Sequence, residues 1–174
     1  DWSSDVCSSD LIWGNPRQTR DIDMMVALTL EQAQIVQRQL GELYIMSLQE
    51  VLSSLEENSP WRSFQILHLE HMFKFDIFVP PSEPFLESLR SRTRQVTLEG
   101  IELRIASAED ILVMKLRWYE LGNRVSDRQW NDIVQVIEVQ GHHLDRDYVR
   151  QWANHFELLD LAEEAFTEAL PPDL

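Results

Sequence analysis

The chain has 174 residues, of which 44% are hydrophobic, and its formal net charge at pH 7 is −15. This length suits one domain, or a compact sheet domain with a helical extension, and the hydrophobic content excludes a disordered chain. The acidic surface excludes a broad electrostatic grip on DNA, the lack of a long apolar run predicts no membrane association, and the single cysteine, Cys7, favours a reducing, cytoplasmic compartment.

The first segment, residues 1–11, is expected to be foreign to the fold. It repeats the triplet Ser-Ser-Asp, has little apolar periodicity, and resembles the translated read-through of a sequencing adapter. A polar N-terminal arm is the alternative interpretation. Cys7 is therefore not a candidate for catalysis, and the segment is expected to be irregular or weakly docked.

Strand and helix patterns are mixed between residues 12 and 106. Thr29 with Gln32 has the spacing of a capping box, as has Ser47 with Glu50, and Gly41 ends the first helix. In chain order, the predicted elements are a loop over 12–19, a strand over 21–28, a helix over 30–40, a short strand over 43–46, a helix to about residue 57, a hairpin of strands 64–69 and 73–79, and a second hairpin of strands 95–98 and 101–105.

After Ser107 the apolar periodicity is helical throughout. Ser107 and Asp145 are predicted N-caps, and the glycines at 122 and 141 separate the helices. The predicted helices run to about residue 121, from 127 to about 140, to about 156, and over 159–170. The sequence therefore predicts an α+β fold, in which residues 12–106 form the core and residues 107–174 form a helical C-terminal part that packs on it.

Three aspartates are the main candidates for a metal site. Asp21 and Asp23 lie two apart on a predicted strand, so both point to one face with Cα atoms about 7 Å apart, and such carboxylates can chelate a hard cation. Asp76 lies on a strand between aromatic residues, where a charge is costly unless it is paired or bound to metal. The alternative is that Asp21 and Asp23 form a solvated strand end, and that Lys74 and Asp76 are merely solvated.

Two helices carry further charged candidates. Lys115 lies among apolar residues, and Arg128 and Asp132 are four apart on the next helix, where they can pair. Ordinary surface charge is the alternative interpretation of these residues.

Three motifs occur in order between residues 14 and 132. They are Gly-x-Pro-Arg-x-Thr-Arg-Asp-Ile-Asp at 14–23, Lys-Phe-Asp at 74–76, and Ser-Ala-Glu-Asp at 107–110 followed by Lys115 and by Arg128-x-x-x-Asp132. This ordered set resembles the bacterial nucleotidyltransferase-fold proteins, in particular the AbiEii-like abortive-infection toxins and their uncharacterised relatives. The resemblance implies a nucleotidyltransferase-type mixed β-sheet with flanking helices.

The resemblance also implies an activity, which is the magnesium-dependent transfer of a nucleotide from an NTP to an RNA, such as a tRNA, or to a protein. Asp21, Asp23 and Asp76 would bind Mg²⁺. Lys115 would contact a nucleotide phosphate, and Asp132 would be an essential acid. An antitoxin is a candidate partner.

Four further residues would have supporting roles by the same resemblance. Arg128 would orient Asp132, whereas Arg17, Thr19 and Arg20 would lie beside the metal pair and meet the triphosphate. Surface charge is the alternative interpretation of Arg17 and Arg20.

One expected motif is missing. The fold normally has a Gly-Gly or Gly-Ser turn before the aspartate pair, and that place falls within residues 1–11. The chain is therefore expected to be an N-terminally truncated piece that is inactive as it stands. The alternative function is a non-catalytic member of the same fold that binds a nucleotide or a partner.

Overall fold

The computed structural model describes residues 6–8, 21–56, 62–79, 83–98 and 101–169. Between Ala106 and Ser107 the chain passes from one compact unit, which contains the β-sheet, to a second compact unit, which is helical. Strands and helices occur together in the first unit, so the predicted α+β class is confirmed.

The sheet unit contains seven strands within the described residues. They are β1 (Val6–Ser8), β2 (Asp21–Met25), β3 (Tyr44–Met46), β4 (Ser63–His68), β5 (Lys74–Phe78), β6 (Arg94–Leu98) and β7 (Ile101–Ile105). Across the sheet they lie in the order β3-β4-β5-β2-β1-β7-β6. The pairs β2–β5 and β1–β7 are parallel, and the other neighbouring pairs are antiparallel, so the sheet is mixed.

Strand β1 corrects one expectation from the sequence. It lies between β2 and β7, with Ser8 in register with Asp23 and Cys7 in register with Ile105. The expectation that residues 1–11 lack regular structure is therefore wrong for these three positions. A short strand with a neighbour on each side takes its hydrogen bonds from the sheet, so it needs no apolar periodicity of its own.

Among the described residues, the sheet unit contains three helices, namely α1 (Leu30–Leu40), α2 (Leu48–Leu55) and α3 (Glu83–Arg92). The predicted capping box of α1 is formed, because the amide of Gln32 donates to the Thr29 hydroxyl at 3.3 Å and the Thr29 amide donates to the Gln32 side chain at 2.7 Å. Gly41 ends α1 with a φ of +68°, which glycine adopts at little cost. Helix α3 was not predicted.

One face of the sheet packs against α1 and α2. Phe64 on β4 is in register with Ile77 on β5, and Ile66 with Phe75, so these side chains share a face. Burying each of the larger ones stabilises the fold by about 1.5–3 kcal/mol. The buried members of this core are Ala33, Met46, Val51, Phe64, Ile66, Ile77 and Val79.

The outermost strand, β3, is joined to α1 by a side chain. The Gln37 amide donates a hydrogen bond of 2.8 Å to the main-chain oxygen of Met46. An edge strand otherwise leaves such a group to solvent or to another chain. Helix α1 therefore packs on the sheet face and also satisfies part of its edge.

The helical unit contains α4 (Ala108–Leu121), α5 (Asp127–Gln140), a 3₁₀ turn (Gly141–His143), α6 (Arg146–His155) and α7 (Leu159–Ala169). Ser107 and Asp145 cap α4 and α6 as predicted, by accepting from amides three residues on. None of the helices that the structure describes is both long and apolar enough for a membrane span. The side chains with almost no exposure include Leu112, Leu116, Ile133, Ile137, Val149 and Leu161.

A buried carboxylate links α4 to α6. Asp110 is 0% exposed, and its two oxygens accept hydrogen bonds from the hydroxyls of Tyr148 at 2.5 Å and Ser107 at 2.7 Å. The neighbouring Glu109 accepts from the main-chain amide of Asp145 at 3.1 Å. A buried carboxylate is tolerated where its oxygens are satisfied, so this network holds the first turns of the two helices together.

Helix α6 ends in a Schellman motif at a residue that is not glycine. The amide of Leu158 donates to the oxygen of Ala153 at 2.7 Å, and that of Glu157 donates to the oxygen of Asn154 at 3.1 Å. Glu157 has a φ of +61°, in the left-handed region. A side chain costs about 1–2 kcal/mol in this region, and glycine avoids that cost.

Tyr148→Phe is expected to lower the free energy of unfolding by about 1–3 kcal/mol, because a fully buried carboxylate oxygen loses its phenolic donor. Urea denaturation measures the change. Tyr119→Phe is the matched control, since its hydroxyl donates to the exposed Arg124 main-chain oxygen at 2.9 Å, where water can replace it. Equal effects of the two substitutions would contradict a special role for the buried bond.

Glu157→Gly is expected to raise the free energy of unfolding by about 0.5–1 kcal/mol, since the strain at the end of α6 exceeds the extra entropy of glycine in the unfolded chain. Thermal melts report the change. Glu138→Gly, at an exposed position inside α5, is expected to lower stability by about 1 kcal/mol. The idea fails if both glycines destabilise the protein.

Candidate functional site

Two of the predicted carboxylates lie opposite each other in the sheet. On the parallel strands β2 and β5, Asp23 is in register with Asp76. Residues paired in this way present their side chains on the same face, with strands about 4.8 Å apart. This face is opposite to that of Phe64 and Ile77, so these carboxylates do not compete with the core.

Asp76 has two nitrogen donors close to its carboxylate. Lys74 Nζ lies 2.6 Å from Oδ2, and Gln65 Nε2 donates to Oδ1 at 2.6 Å. The side chain of Asp76 is 15% exposed, and that of Lys74 is 34% exposed. Both partners follow from the strand pattern, because Lys74 is two residues before Asp76 on β5 and Gln65 is in register with it on β4. Gln65 had not been singled out from the sequence.

Asp21 occupies the next position of the same strand face. It lies two residues before Asp23 on β2 and is in register with Lys74. The structure does not describe its side chain, and Arg17, Thr19 and Arg20 lie outside the described residues. Within the part of the chain that is described, no group of three metal-ligating side chains is found. The three-carboxylate cluster therefore stays a prediction.

The donor set fits a hard divalent cation. Asp23 and Asp76 supply carboxylate oxygens from one face of neighbouring strands, and oxygen is the ligand atom that Mg²⁺ prefers. A cation between the two aspartates would also reduce their mutual repulsion, because like charges directly opposite each other destabilise a sheet. Lys74 partly neutralises them in the structure.

The helical unit pairs two other predicted residues. Lys115 on α4 and Asp132 on α5 form an ion pair, with Nζ 3.8 Å from Oδ2. Their side chains are 12% and 18% exposed. Arg128, expected to orient Asp132, is exposed on the first turn of α5. Lys115 lies among apolar residues, where a charge is costly unless it is paired. Asp132 provides that pairing.

The remaining expectation for Lys115 concerns its approach to the sheet carboxylates. Asp23 and Asp76 belong to the sheet unit, whereas Lys115 and Asp132 belong to the helical unit. The approach of Lys115 to a phosphate bound at the sheet stays a prediction. Two residues of the third motif have a structural role. Glu109 and Asp110 are both buried in the network that joins α4 to α6.

Lysine is rare in this chain and is confined to these two sites. The sequence contains Lys74 and Lys115 and no other lysine, whereas arginine supplies the remaining thirteen of its fifteen basic residues. Each lysine is paired with an aspartate. Lysine carries a compact, mobile point charge, in contrast to the planar fork of arginine.

Substituting Lys115 by Met, or Asp132 by Asn, is expected to lower the free energy of unfolding by about 1–3 kcal/mol, since each leaves a mostly buried charge without its partner. The double variant is expected to lose less than the sum of the two. A double-mutant cycle by urea denaturation measures this coupling.

The same cycle on Arg124 and Glu120 is the control, because that pair is about 40% exposed and is expected to couple by under about 0.5 kcal/mol. Additive losses at Lys115 and Asp132 would contradict a stabilising ion pair.

Comparison with known proteins provides no assignment of family. The chain matches no protein-family model, and no curated protein matches it. The motif resemblance to the nucleotidyltransferase-fold proteins therefore stays a prediction, which depends on the residues and geometry described above.

Proposed function

We propose that this protein is a magnesium-dependent nucleotidyltransferase that uses the Asp23–Asp76 pair to hold the metal. The observation that supports the proposal most directly is the register of these two aspartates on adjacent parallel strands. Asp21, two residues before Asp23, would be the third ligand. The candidate product is an RNA, such as a tRNA, or a protein that carries a nucleotide.

A divalent cation held by Asp23 and Asp76 would supply positive charge that stabilises the transfer of a phosphoryl group. The protein's own part is to fix the carboxylates. β2 is flanked by β1 and β5, so the position of Asp23 is set by hydrogen bonds on both sides. Asp76 is likewise on a strand with neighbours on both sides, and the Gln65 amide orients its carboxylate.

By the motif resemblance, Lys115 would supply a positive charge and Asp132 an acid. Lys115 would contact a phosphate oxygen through its ammonium group, and Asp132 would hold that group in place meanwhile. An ammonium group carries three N–H donors, so Lys115 could meet a phosphate oxygen while it remains beside Asp132, 3.8 Å away. A non-catalytic member of the fold would bind the nucleotide with the same groups and release it unchanged.

The first test is metal binding, which the chain can report without any acceptor. Titration with Mn²⁺, followed by electron paramagnetic resonance, is expected to show binding that Asp23→Asn and Asp76→Asn each weaken by roughly tenfold or more, because each removes one charged oxygen ligand. Glu31→Gln removes an exposed carboxylate on α1 and is the matched control.

Equal binding by all three variants would contradict the proposed metal site. Incubation with each labelled NTP, Mg²⁺ and total RNA or protein then separates the two versions of the function. Label that appears in a macromolecule and depends on Asp23 supports the transferase. Binding of NTP without transfer favours the non-catalytic alternative only if a version supplied with the Gly-Gly or Gly-Ser turn also fails to transfer.

A further inference from the structure

We propose that Lys74 is a built-in counter-ion of the sheet carboxylates, which a divalent cation must displace from Asp76, and that this competition lowers the metal affinity of the site. The inference rests on the proposed function, since it concerns the same metal site. Occupancy of that site by metal would be regulated by how readily the lysine leaves.

The geometry supports a competition. Lys74 and Asp76 are two apart on β5, so the pleat places both side chains on one face. Nζ of Lys74 lies 2.6 Å from Oδ2, and the other carboxylate oxygen accepts from Gln65. Both oxygens of Asp76 therefore have a donor, so a metal held by Oδ2 would have to take the place of the ammonium group.

Charge leads to the same conclusion. An ammonium group in contact with a metal ligand repels a dication, and the effect is large at such distances even at an effective dielectric constant near 20. Loss of Lys74 would leave Asp23 and Asp76 opposite each other without this cation, which favours a metal. The one-third exposure of Lys74 gives its long side chain a route to solvent when the metal enters.

The test compares Mn²⁺ affinity by electron paramagnetic resonance in the wild-type chain and in variants at Lys74. Lys74→Gln and Lys74→Met remove the charge, and both are expected to bind Mn²⁺ roughly 5- to 30-fold more tightly. Lys74→Arg keeps the charge and is expected to show no gain. Arg38→Met lowers the net charge equally from an exposed position on α1, so it controls for the general effect of charge.

A second readout follows the lysine itself. With two lysines in the chain, acylation at Lys74 can be quantified by peptide mass spectrometry. Mn²⁺ is expected to increase the reactivity of Lys74 in the wild-type chain and to leave it unchanged in Asp76→Asn. Thermal melts check that each variant is folded, and Lys74→Gln, which keeps a donor near Asp76, serves if Lys74→Met is not.

The outcomes separate this inference from the proposed function. Tighter binding by both neutral variants, with no gain in Lys74→Arg and Arg38→Met, supports the counter-ion role. Binding that Asp76→Asn weakens, but that the neutral Lys74 variants leave unchanged or weaken, overturns the inference and leaves the metal site intact. Absence of Mn²⁺ binding in every form overturns both.

Discussion

Two aspartates lie directly opposite each other on neighbouring parallel strands, and the groups around them are arranged to offset the repulsion between their charges. Asp23 and Asp76 are in direct register, at a spacing where like charges destabilise a sheet. The Asp76 carboxylate is stabilised by the ammonium group of Lys74 on the same strand and by the side-chain amide of Gln65 on β4. The register of this pair is the observation on which the proposed metal site depends.

The helical unit also contains a lysine that is paired with an aspartate. There the single lysine is mostly buried against Asp132, and its charge is balanced across two helices rather than along a strand. Asp110 shows the opposite solution, because it is fully buried and satisfied by hydroxyl groups. The hydroxyl network is suited to holding helices together.

Features that depend on a few neighbouring residues could be predicted from the sequence. The cap at Thr29 and the caps at Ser107 and Asp145 form as expected, because each is decided within three residues of the helix start. The strand of Asp76 was also predicted, and with it the side of the strand on which the carboxylate lies. Its hairpin pairing with the preceding strand was predicted as well, whereas its pairing with β2 on the other side depends on the topology of the whole sheet.

The errors have physical causes of the same kind. Strand β1 is only three residues long and is specified by the strands on either side of it. Helix α3 does have an apolar pattern, in which Phe85, Leu86 and Leu89 are buried, but prolines at 80, 81 and 84 interrupt the sequence around its start, and no helix was predicted there. Arg128 was expected to pair with Asp132 because the two are four residues apart on one helix. In the structure, Asp132 forms an ion pair with Lys115 on α4 instead.

The bond between Gln37 and the Met46 carbonyl affects how the sheet behaves towards other copies of the chain. Growth of a sheet by addition of strands from other molecules requires open main-chain groups at the outermost strand. At β3 one of these groups is already occupied by a side chain from α1. An incoming strand would have to break that hydrogen bond before it could pair there, which disfavours fibril-like association through this edge.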